Sequence, residues 1–209
     1  MNAVQQQPLK PGQTMAYRLH GNCYLNLTWH CTLRCRFCPK FNGSWEVQGF
    51  NLRLHDEPDV EQLLAAVGDP SGDNEIVFCG YGEPTLRLDV LLEVARSLKQ
   101  QGATIRVNTD GLANLIHGYD VTPELARVVD AVSVSLNAHS EELYEHHCRP
   151  KRHGAFLALQ NFAARAHKQG IDVTLSAIDG LAGVDIEACQ AIADRLGVKF
   201  RRRMLNQVG

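Results

Sequence analysis

The chain has 209 residues, 44% of them hydrophobic and 21% charged, with a formal net charge of -2, the composition of a globular protein with one sizeable core. That balance argues against a general electrostatic affinity for nucleic acid or anionic membranes, and no apolar run approaches the ~20 residues that span a bilayer. Residues 1–15 are polar and rich in Gln and Pro, without the apolar stretch of a secretory signal, so a flexible extension over 1–14, one core domain over 15–209 and a cytoplasmic location are expected.

In chain order, Cys23–Trp29 has apolar residues at every second position and reads as a strand. Pro58 precedes a predicted helix over Asp59–Val67. The short apolar run Glu75–Cys79, closed by Gly80, reads as a buried strand. Leu88–Gln101 places Leu91, Leu92, Ala95 and Leu98 near the helical period and stops before Gly102. Strands over Thr104–Asn108 and Ala131–Leu136 flank a short helix over Pro123–Val129. Ser140 is the expected N-cap of a helix through His146, with Glu141 and Glu142 in its first turn. Helices over Gly154–Lys168 and Asp185–Leu196 then alternate with strands over Asp172–Ala177 and Lys199–Met204. Such alternation predicts an α/β fold with a parallel sheet. Six strand–helix units are enough for a partial (β/α)6 barrel, whereas a closed eight-unit barrel needs about 250 residues. Active residues are then expected at the C-terminal ends of the strands.

Three of the seven cysteines, Cys31, Cys35 and Cys38, fall within eight residues directly after the first predicted strand. An odd count without an export signal argues against a disulfide framework. Three thiolates in a C-x3-C-x2-C run can wrap one face of a metal centre. Structural zinc takes four ligands, and a [4Fe-4S] cluster usually takes four cysteines, so three leave one iron open. The plainer readings are a Cys3His zinc site that uses His30, or a redox pair with a spectator thiol.

The C-x3-C-x-Φ-C pattern, with Phe37 as the aromatic, resembles the signature of the radical S-adenosylmethionine (SAM) superfamily. That resemblance implies a [4Fe-4S] cluster on Cys31, Cys35 and Cys38. It also implies SAM on the open iron, reductive cleavage of SAM to methionine and a 5'-deoxyadenosyl radical, and hydrogen abstraction from a substrate. Phe37 would lie near the adenine. An electron donor such as flavodoxin or ferredoxin is the implied partner.

Further motifs fit the same pattern. Cys79-Gly80-Tyr81-Gly82-Glu83-Pro84-Thr85 ends the second strand; alone it reads as a tight turn with a surface glutamate. In this position it resembles the superfamily's GGEP segment, with Tyr81 replacing a glycine. The likeness implies that Gly80, Gly82 and Glu83 hold the amino group of SAM. Asn108 and Thr109, before the Asp110-Gly111 turn, resemble a T-N-G strand end that faces the cofactor. Ser135 and Asn137 are matched to ribose contacts, and Arg149 to the SAM carboxylate, with Lys151 and Arg152 as neighbouring candidates. Each of these also reads as a cap, turn or solvated loop residue. His146 and His147 read as helix-end residues, and Cys23, Cys79, Cys148 and Cys189 as small hydrophobes. On the last strand, Arg201 and Arg203 share one face and Arg202 takes the other. They mark either an edge strand or a cavity lining that meets an anion.

The stretches 17–28, 38–41 and 45–49 look like the radical SAM proteins found beside TatD-type nucleases, which implies an anionic or nucleotide-related substrate. The competing enzyme readings are a glycyl-radical-enzyme activase and a 7-carboxy-7-deazaguanine synthase, whose substrate is a pterin. The competing non-enzyme readings are an iron–sulfur electron carrier and a structural zinc domain. A four-cysteine carrier would need a fourth cysteine nearby, and the local sequence holds none.

Overall fold

A computed structural model of the chain describes residues 13–205. The predicted extension over 1–14 therefore lies outside the described residues except for Gln13 and Thr14. Those two are tied to the fold: Gln13 Oε1 accepts the backbone N–H groups of His55 and Asp56, and the Thr14 carbonyl accepts from the Asn26 side chain at 3.1 Å.

The chain enters through an antiparallel hairpin, β1 (Ala16–Leu19) and β2 (Asn22–Leu25). His20 and Gly21 turn it with positive φ of 53° and 77°, the two-residue turn whose twist suits a hairpin. A second small hairpin, β3 (Glu46–Val47) and β4 (Phe50–Asn51), stands apart from the main sheet. After it, strands and helices alternate. They run α1 (Val60–Val67), β5 (Ile76–Phe78), α2 (Leu88–Gln100), β6 (Ile105–Thr109), α3 (Ala113–His117), α4 (Thr122–Leu125), β7 (Ala131–Ser135), α5 (Glu141–Cys148), α6 (Ala155–Lys168), β8 (Asp172–Asp179), α7 (Ile186–Leu196) and β9 (Lys199–Met204).

Helix starts follow local chemistry. Asp59 and Gln62 form a reciprocal capping box on α1, Ser140 caps α5 and Asp185 caps α7. The expected first strand over 23–29 stops at Leu25. Beyond it the Asn26 side chain bonds the Thr14 and Leu52 carbonyls, which draws the backbone out of the sheet. The sequence reading did not foresee β1, the β3–β4 hairpin or α3.

Among the described residues the main sheet has seven strands in the order β1-β2-β5-β6-β7-β8-β9. Every pairing from β2 to β9 is parallel. This is the α/β architecture expected, with six parallel strands laid down in sequence order. Right-handed crossovers that all step the same way put the helices on one face, as in a barrel left open. Leu25, Ile76, Phe78, Ile105, Val107, Val132, Val134, Val173 and Leu175 fill that face and are almost wholly buried.

The opposite face is polar. Register aligns Asn108, Ser133 and Thr174 in one row, and Ser135, Ser176 and Arg201 in the next. No helix among the described residues is long and apolar enough to cross a membrane.

The helix-side layer carries much of the stability. Phe78 is fully buried on a central strand, so Phe78→Ala is expected to cost about 3–5 kcal/mol, read as an earlier urea midpoint. A loss below ~1 kcal/mol would mean that the layer repacks around the gap.

Candidate active site

The three cysteines sit on the irregular connection that follows β2, and the end of α5 holds that connection. A helix leaves its last carbonyls without intrahelical partners, and here the loop supplies them. Arg34 N–H donates to the Cys148 carbonyl at 3.0 Å and to the Arg149 carbonyl at 3.3 Å. Arg36 donates its backbone N–H to the His147 carbonyl at 2.8 Å and its Nε to the His146 carbonyl at 3.0 Å. Lys151 closes the other side: its N–H meets the Thr32 carbonyl at 3.1 Å and its Nζ the Cys31 carbonyl at 2.8 Å. Arg149 takes a left-handed conformation, φ 50°, as the helix cap, and its side chain is exposed. Arg152 is exposed as well. The observed contribution of Arg149 is its backbone, and Lys151 is the basic side chain that reaches the loop.

All three thiols are half-buried and held above the usual cysteine range. Burial, helped by the nearby Asp110 and Glu83 carboxyls, pushes Cys31 up to about 12. The Cys148 thiol raises Cys35 most, followed by burial, and burial raises Cys38. Redox and nucleophilic cysteines are found in electropositive surroundings that lower the pKa, so the redox-pair reading finds no support. Among the described residues, no three His, Cys, Asp or Glu side chains converge on one ion-sized point, as a Cys3His zinc site would require. His30 instead turns its Nδ1 toward Glu57, at 3.5 Å.

Cys148 sits in the main core, as a small hydrophobe would, and also meets the cysteine loop. It is fully buried with its thiol against that of Cys35. A fourth cysteine therefore does reach the loop, from 113 positions away by the difference of the residue numbers.

The ends of β5 and β6 meet beneath the loop. A Cβ on Gly82 would lie 2.1 Å from the Thr28 carbonyl oxygen and 2.7 Å from that of His30. This glycine admits the chain's own backbone. A Cβ on Gly80 would stand 2.5 Å from Asn26 Oδ1. Tyr81, between them, points away into a small second core with Tyr17, Val47 and Leu52, and its hydroxyl donates to the Glu46 carbonyl at 2.9 Å.

Glu83 is 3% exposed, and its carboxylate is nearly saturated. Oε1 accepts from Thr85 N–H (3.1 Å), the Thr85 hydroxyl (2.7 Å) and the Thr109 hydroxyl (2.8 Å), while Oε2 accepts from Asp110 N–H at 2.7 Å. It staples the end of β5 to the end of β6. Asp110, read from sequence as half of a turn, belongs to the same knot. Its Oδ1 accepts from Leu112 N–H at 2.9 Å, and its Oδ2 takes the Thr32 hydroxyl beside Cys31.

The remaining predicted residues lie near this knot. Asn108 donates to the Cys79 sulfur at 3.3 Å. Ser135 is half-buried on the polar face. Asn137, at φ 58°, receives Arg203 Nη2 at 2.6 Å and donates to the Cys148 sulfur at 3.7 Å. Phe37 is half-buried against the main core. A cleft of about 400 Å³ opens beside Cys31, walled by Trp29, Phe41, Trp45, Arg34, Lys40 and Lys151.

Burial raises both Glu83 and Asp110, and the Glu83 charge raises Asp110 further. The shared proton belongs on Asp110, since Glu83 already accepts four donors. Both folded pKa values lie above the unfolded ones, so the folded chain binds more protons across that window. Its stability then falls as pH rises through the window. Asp110→Asn is expected to flatten the decline in stability of the metal-free protein as pH rises above the ordinary carboxylate range, followed by urea midpoints. An unchanged slope would mean that the pair does not share a proton.

Residues 25–196 match the radical SAM superfamily. A probable dual-specificity RNA methyltransferase RlmN of Chlorobium phaeobacteroides (strain BS1) is 28% identical over 185 residues, covering 78% of this chain and 47% of that protein. A probable GTP 3',8-cyclase of Thermoplasma volcanium is 30% identical over 122 residues, covering 58% of this chain and 34% of that protein. The chain spans at most about half the length of these curated relatives. The crystal structure of Streptococcus suis SuiB bound to its precursor peptide SuiA shares the fold, with a TM-score of 0.66 at 12% identity over 88% of this chain and 39% of that one. With its cysteine loop at the mouth of an open parallel sheet and the family match spanning most of its length, the chain belongs to the radical SAM superfamily of enzymes.

Proposed function

We propose that Cys31, Cys35 and Cys38 hold a [4Fe-4S] cluster whose fourth iron takes SAM, and that the enzyme abstracts hydrogen from a nucleotide-related substrate. The observation that carries this reading is the cysteine loop itself: three thiols on one short connection that the end of α5 pins in place. When bound, the reduced cluster supplies the electron that breaks a sulfur–carbon bond of SAM and releases the 5'-deoxyadenosyl radical.

The chain's own residues position and enclose. Glu83 fixes segment 80–85 against Thr109 and Asp110. Glu83, with the neighbouring Asp110 carboxyl, is the proposed acidic group that faces the ammonium group of SAM. Asn108, Ser135 and Asn137 supply hydrogen-bonding groups along the polar face for the ribose. Phe37 offers an apolar ring one residue from Cys38 for the adenine. Holding the reactants in one geometry is the protein's main contribution.

The nucleotide-related substrate follows the likeness to radical SAM proteins found beside TatD-type nucleases. It is supported by the relatives, one named for action on RNA and one for action on GTP. A flavodoxin or ferredoxin in the cytoplasm is the proposed electron source.

Anaerobic reconstitution with iron and sulfide, followed by reduction with SAM, is expected to yield 5'-deoxyadenosine. Cys35→Ala should abolish both the cluster absorbance and that product. A chain that binds zinc, or builds a cluster that leaves SAM intact, would overturn the reading.

A further inference from the structure

The guanidinium of Arg203 is placed where a charge is costly. Its Nε is enclosed and has no hydrogen-bond partner among the described residues. Its one bond is from Nη2 to Asn137 Oδ1, at 2.6 Å. No carboxylate among the described residues pairs with it, although Arg202 on the opposite face of the same strand pairs with Asp179. Burial most of all, and the nearby charge of Arg201, pull Arg203 below the usual arginine range, against the thiols of Cys79, Cys148 and Cys35, which pull it up.

Arg203 is half-buried and Arg201 exposed, and a guanidinium with an enclosed, unpaired Nε and no counter-charge is unfavourable. Folding tolerates it where a ligand later supplies the charge, and strained or frustrated groups of this kind gather at functional sites.

Alternation on β9 puts Arg201 on the same face as Arg203, two positions and therefore about 6.5–7 Å along the strand. Arg201 pairs with Ser176, which pairs with Ser135. Arg203 lies one step further toward the strand's C-terminal end, beside Asn137, whose amide donates to the sulfur of Cys148. Two like charges therefore share the polar, helix-free face near its active end, and neither has an ion-pair partner among the described residues. Arginine forks bind oxyanions through paired N–H donors. Two forks side by side suit a dianion better than the single charge of a carboxylate.

We infer that Arg203 and Arg201 seat a phosphate group of the substrate. The inference rests on the radical SAM reading of this face and adds what the substrate must carry: a phosphate placed toward β9, with the reacting carbon toward the cysteine loop.

The test uses the whole chain, reconstituted anaerobically with SAM present so that the SAM carboxylate is already seated. Inorganic phosphate is titrated by calorimetry and by ³¹P line width, with acetate and succinate as competitors. Saturable phosphate binding is expected. Arg203→Gln and Arg201→Gln should each weaken it by about tenfold or more, Arg203→Lys should weaken it less, and Arg202→Gln should leave it within about twofold. SAM affinity in Arg201→Gln should stay within about twofold, and the melting temperature of Arg203→Lys guards against a folding defect.

Phosphate binding indifferent to Arg203, or displaced equally well by acetate, overturns the phosphate seat. So does a loss of SAM affinity of about tenfold in Arg201→Gln, which would assign the arginine pair to SAM. Because phosphate binding is read without turnover, a chain that binds phosphate through Arg203 yet makes no 5'-deoxyadenosine keeps the seat and loses the radical reading. The converse result separates the two just as cleanly.

Discussion

The hydrogen bonds between the cysteine loop and the last turn of α5 set the geometry of the site. A connection with so little regular structure of its own has many conformations, and ordering it costs roughly 1–2 kcal/mol per residue in backbone entropy. Helix ends in turn leave carbonyls that need donors. The two deficits cancel: Arg34 and Arg36 donate to carbonyls at the end of α5, and Lys151 takes hold from beyond its cap. A helix laid down more than a hundred residues later thereby fixes the loop. The thiols are held on a rigid element, as a site that must place several donors at once requires.

Beneath the loop, Glu83 and Asp110 are a second instance of polar groups solving one another's problem. Two buried carboxyls are expensive singly. Here one accepts four hydrogen bonds while the other holds the proton, and the Thr32 hydroxyl ties the pair to the cysteine segment. The end of β5, the end of β6 and the loop after β2 become one unit, positioned by the parallel sheet that carries all three.

Much of this was legible in the sequence. The six parallel strands announced themselves through short apolar runs between turn residues, and the longer helices through period and caps such as Ser140 and Asp185. The cysteine spacing identified the chemistry because it is local. What escaped was either short or non-local. Strand β1 has four residues at a sheet edge, and α3 has five, too few for a period to show. Asp110 looked like half of a turn because its partners, Thr32 and Glu83, lie 78 and 27 positions away. Cys148 looked like filler for the same reason. Glu83 drew attention by resemblance, but its saturation by Thr85 and Thr109 depends on contacts that no spacing rule encodes.

The segment that ends β5 sets two neighbouring positions under opposite constraints. At Tyr81 the chain turns outward into a second core with room for a large ring, and the hydroxyl even finds a carbonyl there. One residue on, at Gly82, the backbone of the preceding loop lies so close that a single methyl would collide with it. Variation among chains built on this plan should therefore be lopsided, free to change bulk at 81 and barred from adding any at 82. A directed-evolution library that randomised the turn evenly would spend most of its diversity on sequences that cannot close.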